Sequence, residues 1–394
     1  MPARRLIVLL CVATGANTVS IGAFPALLPE LGASAGLADW QLGAVAGAFG
    51  FARMLTDVPV GLFITHHLAR ALWLAPLVVL TGALLVVGAG GFGALLLGRA
   101  LMGAGHTLAT LAALTAILRH HAGPGLASAL AAVELSAMIG VLGGAGLIAL
   151  LPRAVPWNAA LLITGAPVLL TLGLLPALLR ALPRVAASGA RPLFARSAGA
   201  SAEGPAAAGA CGLPSLALLG GLAGAAIAIS YTTVEQFVIP VRGSREFGLD
   251  RAGIARLLMV GEVVDVLALL PLGALADRRG FPPVLGGVLL VFAAAVGLVA
   301  FGSLPLMAVG CALFGFGMAG WTLPLGILRM VTPPAQVAWR TALYRVAVDG
   351  GMCLGPVVSG ILTARHTGIL PGVLVVALAA TGVALLTRRR TAMA

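Results

Sequence analysis

Long runs of mostly apolar residues, separated by short polar or glycine-rich breaks, follow one another along the whole chain. A helix rising 1.5 Å per residue needs about 20 such residues to cross roughly 30 Å of hydrocarbon. On that measure the sequence predicts twelve spans, at about 6 to 29, 40 to 64, 72 to 91, 93 to 118, 126 to 151, 158 to 179, 214 to 240, 251 to 276, 284 to 302, 304 to 328, 341 to 363 and 370 to 387. The third and fourth runs, and the ninth and tenth, follow each other almost without a break. The stretch from 180 to 213 has no apolar periodicity and is rich in Ala, Gly, Ser, Pro and Arg, the composition of a mobile linker. An all-α membrane protein follows, divided into residues 1–180, a linker at 181–213, and residues 214–394.

The two parts read as copies of one another. Pro59-Val-Gly61-Leu-Phe-Ile-Thr65-His66-His67 answers to Pro271-Leu-Gly273-Ala-Leu-Ala-Asp277-Arg278-Arg279-Gly280, each closing one apolar run just before the next. Gly103-Ala-Gly105 likewise answers Gly315-Phe-Gly317, and Ile117-Leu118-Arg119 answers Ile327-Leu328-Arg329. Ala132-Val133-Glu134 with Gly140 matches Ala347-Val348-Asp349 with Gly355. Matches in one order along both parts predict a duplicated unit of six spans.

Composition agrees that lipid is the main solvent. The chain is 60% hydrophobic and 9% charged, with mean hydropathy +1.09, where soluble domains run at about 45 to 50% and about 25%. The formal charge of +12 would suit nucleic acid, but every basic residue is an arginine, most of them at or within an apolar run, with no groove-sized patch. Nucleic acid is therefore not an expected partner. Cys11, Cys211, Cys311 and Cys353 form no metal or disulfide pattern, and no cofactor motif is present.

Arginine placement predicts orientation. With the N-terminus inside, Arg4, Arg5, Arg70, Arg119, Arg180, Arg184, Arg191, Arg196, Arg278, Arg279, Arg329, Arg340, Arg388, Arg389 and Arg390 are cytoplasmic. Only Arg153, Arg242, Arg245, Arg251 and Arg365 face outward. That asymmetry places both termini in the cytoplasm, in a bacterial inner membrane, with the first run an uncleaved span.

Ten charges fall inside the spans: Arg53, Arg99, Arg256 and Arg345, with Asp57, Glu134, Glu235, Glu262, Asp265 and Asp349. Each costs at least about 2.5 to 3.5 kcal/mol at the bilayer centre, so they require partners or a watery cavity. Spans three, six, nine and twelve carry none of them. One helix in every three is thus expected to face lipid.

Over essentially its whole length this pattern resembles the major facilitator superfamily, in particular its drug and metabolite exporters. The resemblance implies that spans one, four, seven and ten surround a central cavity and the charge-free spans lie outside. Gly273 to Gly280 is similar to the family's loop signature, which implies that Asp277 and Arg278 help latch one transport state. The first copy departs from it, with Thr65 at the acid's place and His66 at the arginine's. Gly98-Arg99-Ala-Leu-Met-Gly103-Ala-Gly105 resembles the family's fourth-span motif, which implies a part for Arg99 in proton coupling. Gly140-Val-Leu-Gly143-Gly144 has the glycines of an exporter motif without its proline.

Spacing refines the expectations. Arg53 and Asp57, and Arg345 and Asp349, are four apart, so each pair is expected to neutralise itself along its own helix; the alternative is that the pairs exchange partners as the halves rock. Glu134 has no partner at helical spacing and stands, with Asp349 as its repeat mate, as a carboxylate able to take up a proton; the alternative is a pair with Arg99 or Arg345. Glu235 is the other such carboxylate, in a span-seven stripe with Tyr231 and Gln236 that suits an apolar or cationic ligand. Asn17, His106 and Trp321 also fall on cavity spans and complete the candidate substrate site, with His106 seven residues beyond Arg99 on the same face. Glu262 and Asp265 are expected to share a proton or to neutralise Arg256.

The sequence therefore predicts a monomeric secondary transporter that moves a small molecule by alternating access, with protons as coupling ion and membrane lipid around it. Efflux of an amphipathic compound is the leading expectation. Uptake of a small metabolite, and a sensor or assembly protein of the same fold that does not transport, are the alternatives. No phosphate loop, nucleophile constellation or metal cluster points to an enzyme.

Overall fold

The computed structural model describes residues 2–120, 126–182, 213–332, 337–363 and 368–391, all of them helices and their connecting turns. The predicted linker, with Arg184, Arg191 and Arg196, lies almost wholly outside the described residues, as does Arg365. Among the described residues, 11 helices are long and apolar enough to cross a membrane. One of them, Asp39–Val87, holds spans two and three, so the twelve predicted spans are all present.

That helix kinks where the sequence predicted a loop. His67 leaves the helical region (φ −131, ψ 42) and the chain then resumes its helix. The repeat mate behaves differently: Gly280, at φ 87, separates Arg251–Arg279 from Phe281–Phe301. A left-handed φ is open to glycine and strained for other residues, and the first copy has no glycine at this point. It bends where its mate breaks. Arg119 donates from Nη2 to the Thr65 carbonyl at 2.9 Å, occupying a group that the kink frees.

Span one is Pro2–Ala35, span four Phe92–His120 and span five Leu126–Leu150. Span six runs as Trp157–Gly165 and Pro167–Ala181. Spans eleven and twelve are Val337–Thr363 and Ile369–Thr391. Small residues set the packing: a Cβ at Gly144 would overlap the Val19 carbonyl of span one, and one at Gly315 the Gly261 carbonyl of span eight. Such backbone approaches are the usual source of contact where lipid removes the hydrophobic drive between helices.

Two seams join the halves, span two against span eleven and span five against span eight. The first seam is antiparallel and built on glycine. A Cβ at Gly47 would lie 2.7 Å from the Cys353 carbonyl oxygen and one at Gly50 2.7 Å from the Cys353 nitrogen. Further along, a Cβ at Gly350 would lie 3.4 Å from the Met54 sulfur.

Call the side bearing both chain ends the terminal face and the opposite side the far face. Three ion pairs join the halves at the far face: Arg245 with Asp39, Arg153 with Asp250, and Arg251 with Glu30 at 3.3 Å. Arg251, 3% exposed, also donates to the Pro152 carbonyl. Arginines expected only to flank the membrane are thus the bolts between the halves. On the terminal face no ion pair joins the halves among the described residues. The molecule is bolted at the far face.

Asp250 also caps span eight by accepting from the Gly253 N–H at 2.9 Å. That N–H bond, followed by Arg153, holds its carboxyl below the usual carboxylate range. The stabilisation is therefore present at neutral pH and lost as the pH falls through the lowered value. Asp250→Asn keeps a capping oxygen, whereas Asp250→Ala is expected to cost about 1 kcal/mol. Thermal melting at neutral pH should rank wild type, Asn and Ala in that order, with the gap between wild type and Asn closing in strong acid.

Candidate functional site

Spans seven and ten are both interrupted, span seven in its far-face third, and a proline explains each break. Span seven is helical over Leu213–Thr233, widens to a π-turn over Val234–Val238, and resumes over Ile239–Arg245. Pro240 has no N–H for the Gln236 carbonyl four residues back, and its ring crowds that oxygen; the wider turn accommodates both. Span ten stops at Met318, turns, and restarts at Leu323. Pro324 there has no N–H for the Gly320 carbonyl four residues back, and that carbonyl accepts from the Leu323 N–H at 3.0 Å instead. Interrupted cavity helices are a recurrent feature of transporter binding sites.

The breaks carry the polar side chains inward. Glu235 and Gln236 lie in the π-turn, 8% and 6% exposed, and Trp321 lies in the turn of span ten. The Tyr231 and Trp321 rings meet edge to face with centroids 6.0 Å apart. Tyr231 lies one helical turn before Glu235 on the same span, within electrostatic reach of its carboxyl group.

Arg99 reaches this group from the other half. Its guanidinium is buried between Phe24 and Phe49, 3.8 and 4.6 Å from their ring centroids. Nη2 donates to Gln236 Oε1 at 3.4 Å, and Gln236 Nε2 donates to Glu235 Oε1 at 3.3 Å. Because arginine can only donate, the amide oxygen must face Arg99 and the amide nitrogen Glu235. A neutral amide therefore separates a buried cation from a buried anion, while Arg99 Nε and Nη1 have no protein partner.

On span eight, Glu262 and Asp265 are half-buried within electrostatic reach of Glu235. They do not neutralise Arg256, which is exposed and in no ion pair among the described residues. Glu134 is exposed on span five without an ion pair; the cations acting on it are Arg53 and Arg345. The expected alternative, a pair with Arg99 or Arg345, is not formed. Asn17 is buried with Oδ1 unpartnered, and His106 is half-buried beside Phe49 at a centroid distance of 5.5 Å. Asp277 and Arg278 are exposed at the end of span eight and in no ion pair among the described residues.

The largest departure from sequence expectation concerns the pairs at four-residue spacing. Arg53 does not pair with Asp57, nor Arg345 with Asp349. Arg53 donates from Nε and Nη2 to Asp349 Oδ1, each at 2.9 Å, and Arg345 Nε meets Asp57 Oδ2 at 3.4 Å. The antiparallel register of the glycine seam brings each cation opposite the other span's acid, where desolvation by two helices favours the facing partner.

Residues 216–394 match the family model of the Major Facilitator Superfamily. No curated protein matches the sequence. The chain is similar in structure to the nucleoside transporter NupG, with TM-score 0.73 and 14% identity over 97% of this chain and 98% of that one. A bacterial homolog of the human lysosomal transporter Spinster, inward-facing and occupied, gives TM-score 0.69 and 17% identity, covering 98% and 94%. The human organic anion transporter MFSD10 gives 0.64 and 17%, covering 98% and 100%. These likenesses cover both halves of the chain and show that it has the fold of these transporters.

Within that fold, sequence reasoning missed Phe24, Phe49 and Pro240. Helical spacing held the signal for the two rings, since Phe24 lies seven residues beyond Asn17 and Phe49 four before Arg53. Proline inside an apolar run was the mark of the π-turn.

Proposed function

We propose that this chain is a secondary transporter that exports an amphipathic compound by alternating access in exchange for protons, with Glu235 as the proton-binding carboxylate. The observation that carries this reading is the chain from Arg99 through Gln236 to Glu235, which links the halves through a group able to change charge. Arginine asymmetry supports a cytoplasmic terminal face. The substrate enters there, against Tyr231, Trp321 and Asn17, beneath the closed far face. The interior spans then hold the acids Asp57, Glu134, Glu235, Glu262, Asp265 and Asp349 against the bases Arg53, Arg99 and Arg345. A proton on Glu235 or a cationic group on the substrate offsets part of that acidic excess, and the two compete for the same space. Binding of the substrate releases the proton inward; opening of the far face returns a proton to Glu235 and lets the substrate go. Glu134 and Asp349 are secondary proton sites in this scheme.

Proteoliposomes loaded with a pH-sensitive dye test it, using lipophilic cations and small anions as probes. Addition of a transported probe moves protons in the wild type, and Glu235→Gln lowers that movement at least about tenfold, the loss expected when a charge-switching group is fixed. Proton movement undiminished in Glu235→Gln would remove Glu235 from the role. Flux of the probe in the same direction as the proton would replace export by uptake.

A further inference from the structure

The crossed pairs between spans two and eleven contain more partners than a fixed bolt requires. One arginine and one aspartate would join the spans; the structure has two of each, and each span carries its own arginine and aspartate at a four-residue spacing. Every cation therefore has two acids within its reach, one across the seam and one a helical turn along its own span. Glu134 on span five also faces Arg53 and Arg345 but pairs with neither.

We infer that Arg53, Asp57, Arg345 and Asp349 form a partner-exchange clasp, paired between the halves while the far face is closed and within each span once it opens. The exchange keeps every buried charge paired in both states, which a single bolt cannot do, because breaking it would strand two charges away from water. Its position fits: the glycine seam at Gly47 and Gly50 occupies the far half of the spans, and the four charges sit where that seam ends, midway along both. The two rungs are unequal. Arg53 and Asp349 are 18% and 2% exposed at 2.9 Å, whereas Arg345 is 38% exposed at 3.4 Å and Asp57 Oδ1 has no partner. The rung nearer the terminal face exchanges first, and Arg53 then turns to the freed Asp57.

The inference rests on alternating access, and its test reads conformation, so a failure of proton coupling leaves it standing. Two matched variants each remove one arginine and one aspartate. Arg53→Gln with Asp349→Asn leaves Arg345 and Asp57, which can pair only between the halves. Arg53→Gln with Asp57→Asn leaves Arg345 and Asp349, which can pair only within span eleven. Spin labels at Ser34→Cys and Ser303→Cys report the far face, and labels at Arg70→Cys and Arg279→Cys the terminal face, with the native cysteines replaced by alanine. The first variant should hold the far face closed and the second should open it, with closed-to-open ratios differing at least about tenfold. Charge reversal at all four positions restores both sets of pairs and should return the wild-type ratio. Equal distance distributions in the two matched variants, or a far face wider in the first than in the second, would overturn the clasp.

Discussion

Arg99→Leu should fold, melt at a higher temperature than the wild type, and carry no proton-coupled flux. Stability and function part company at this residue for a physical reason. The guanidinium is 1% exposed, stacked on two phenylalanine rings, and bonded to one neutral amide with two nitrogens unpartnered. Replacing buried charge by a well-packed apolar side chain often stabilises by about 1 to 4 kcal/mol. Gln236 would then keep only its bond to Glu235, and the polar link between the halves at this level would be gone. Arg99→Lys should not rescue transport, since an ammonium has no planar face to lie between Phe24 and Phe49 and no fork to reach Gln236. Thermal denaturation in detergent beside the dye assay checks both halves of the expectation. A destabilised variant that still couples would mean that the residue is a structural strut.

The second large effect is expected at the far face. Glu30→Gln, Asp39→Asn and Asp250→Asn together remove the acid from each of the three ion pairs that join the halves there while preserving side-chain volume. Singly, pairs as exposed as Arg153 with Asp250 contribute about 0 to 1 kcal/mol. Arg251 is different: at 3% exposure it would be left with the Pro152 carbonyl as its remaining partner. The triple variant should therefore widen the distance between labels at Ser34→Cys and Ser303→Cys, whereas the single Asp250→Asn should leave it within the wild-type spread. An unchanged distance in the triple variant would mean that the glycine seam alone holds this face shut.

Spans, repeat and the inventory of charges inside the spans were legible because lipid imposes them: an apolar run of fixed length leaves little choice of structure. Partners were not legible. Arg53 and Asp57 satisfy every local criterion for a pair, yet the register of span two on span eleven gives Arg53 a different acid. That register is a property of two distant segments meeting glycine to glycine. Similarly, the fate of the loop after span two turned on one residue type, glycine at 280 and its lack in the first copy. Trp321 fell on the expected cavity span, but its place in a break between two helices depends on Gly320 and Pro324 acting together.

The glycine seam also decides how a compound dissolved in the bilayer can approach. Backbone against backbone leaves no gap between side chains for an acyl chain or a flat ring to enter, so the flank between spans two and eleven is a sealed wall in the far leaflet. Below it Phe51, Leu55, Val58 and Leu62 form a row 47% to 59% exposed, starting where the wall ends. A lipophilic molecule partitioned into the membrane thus meets backbone packed on backbone in one leaflet and an exposed apolar row in the other.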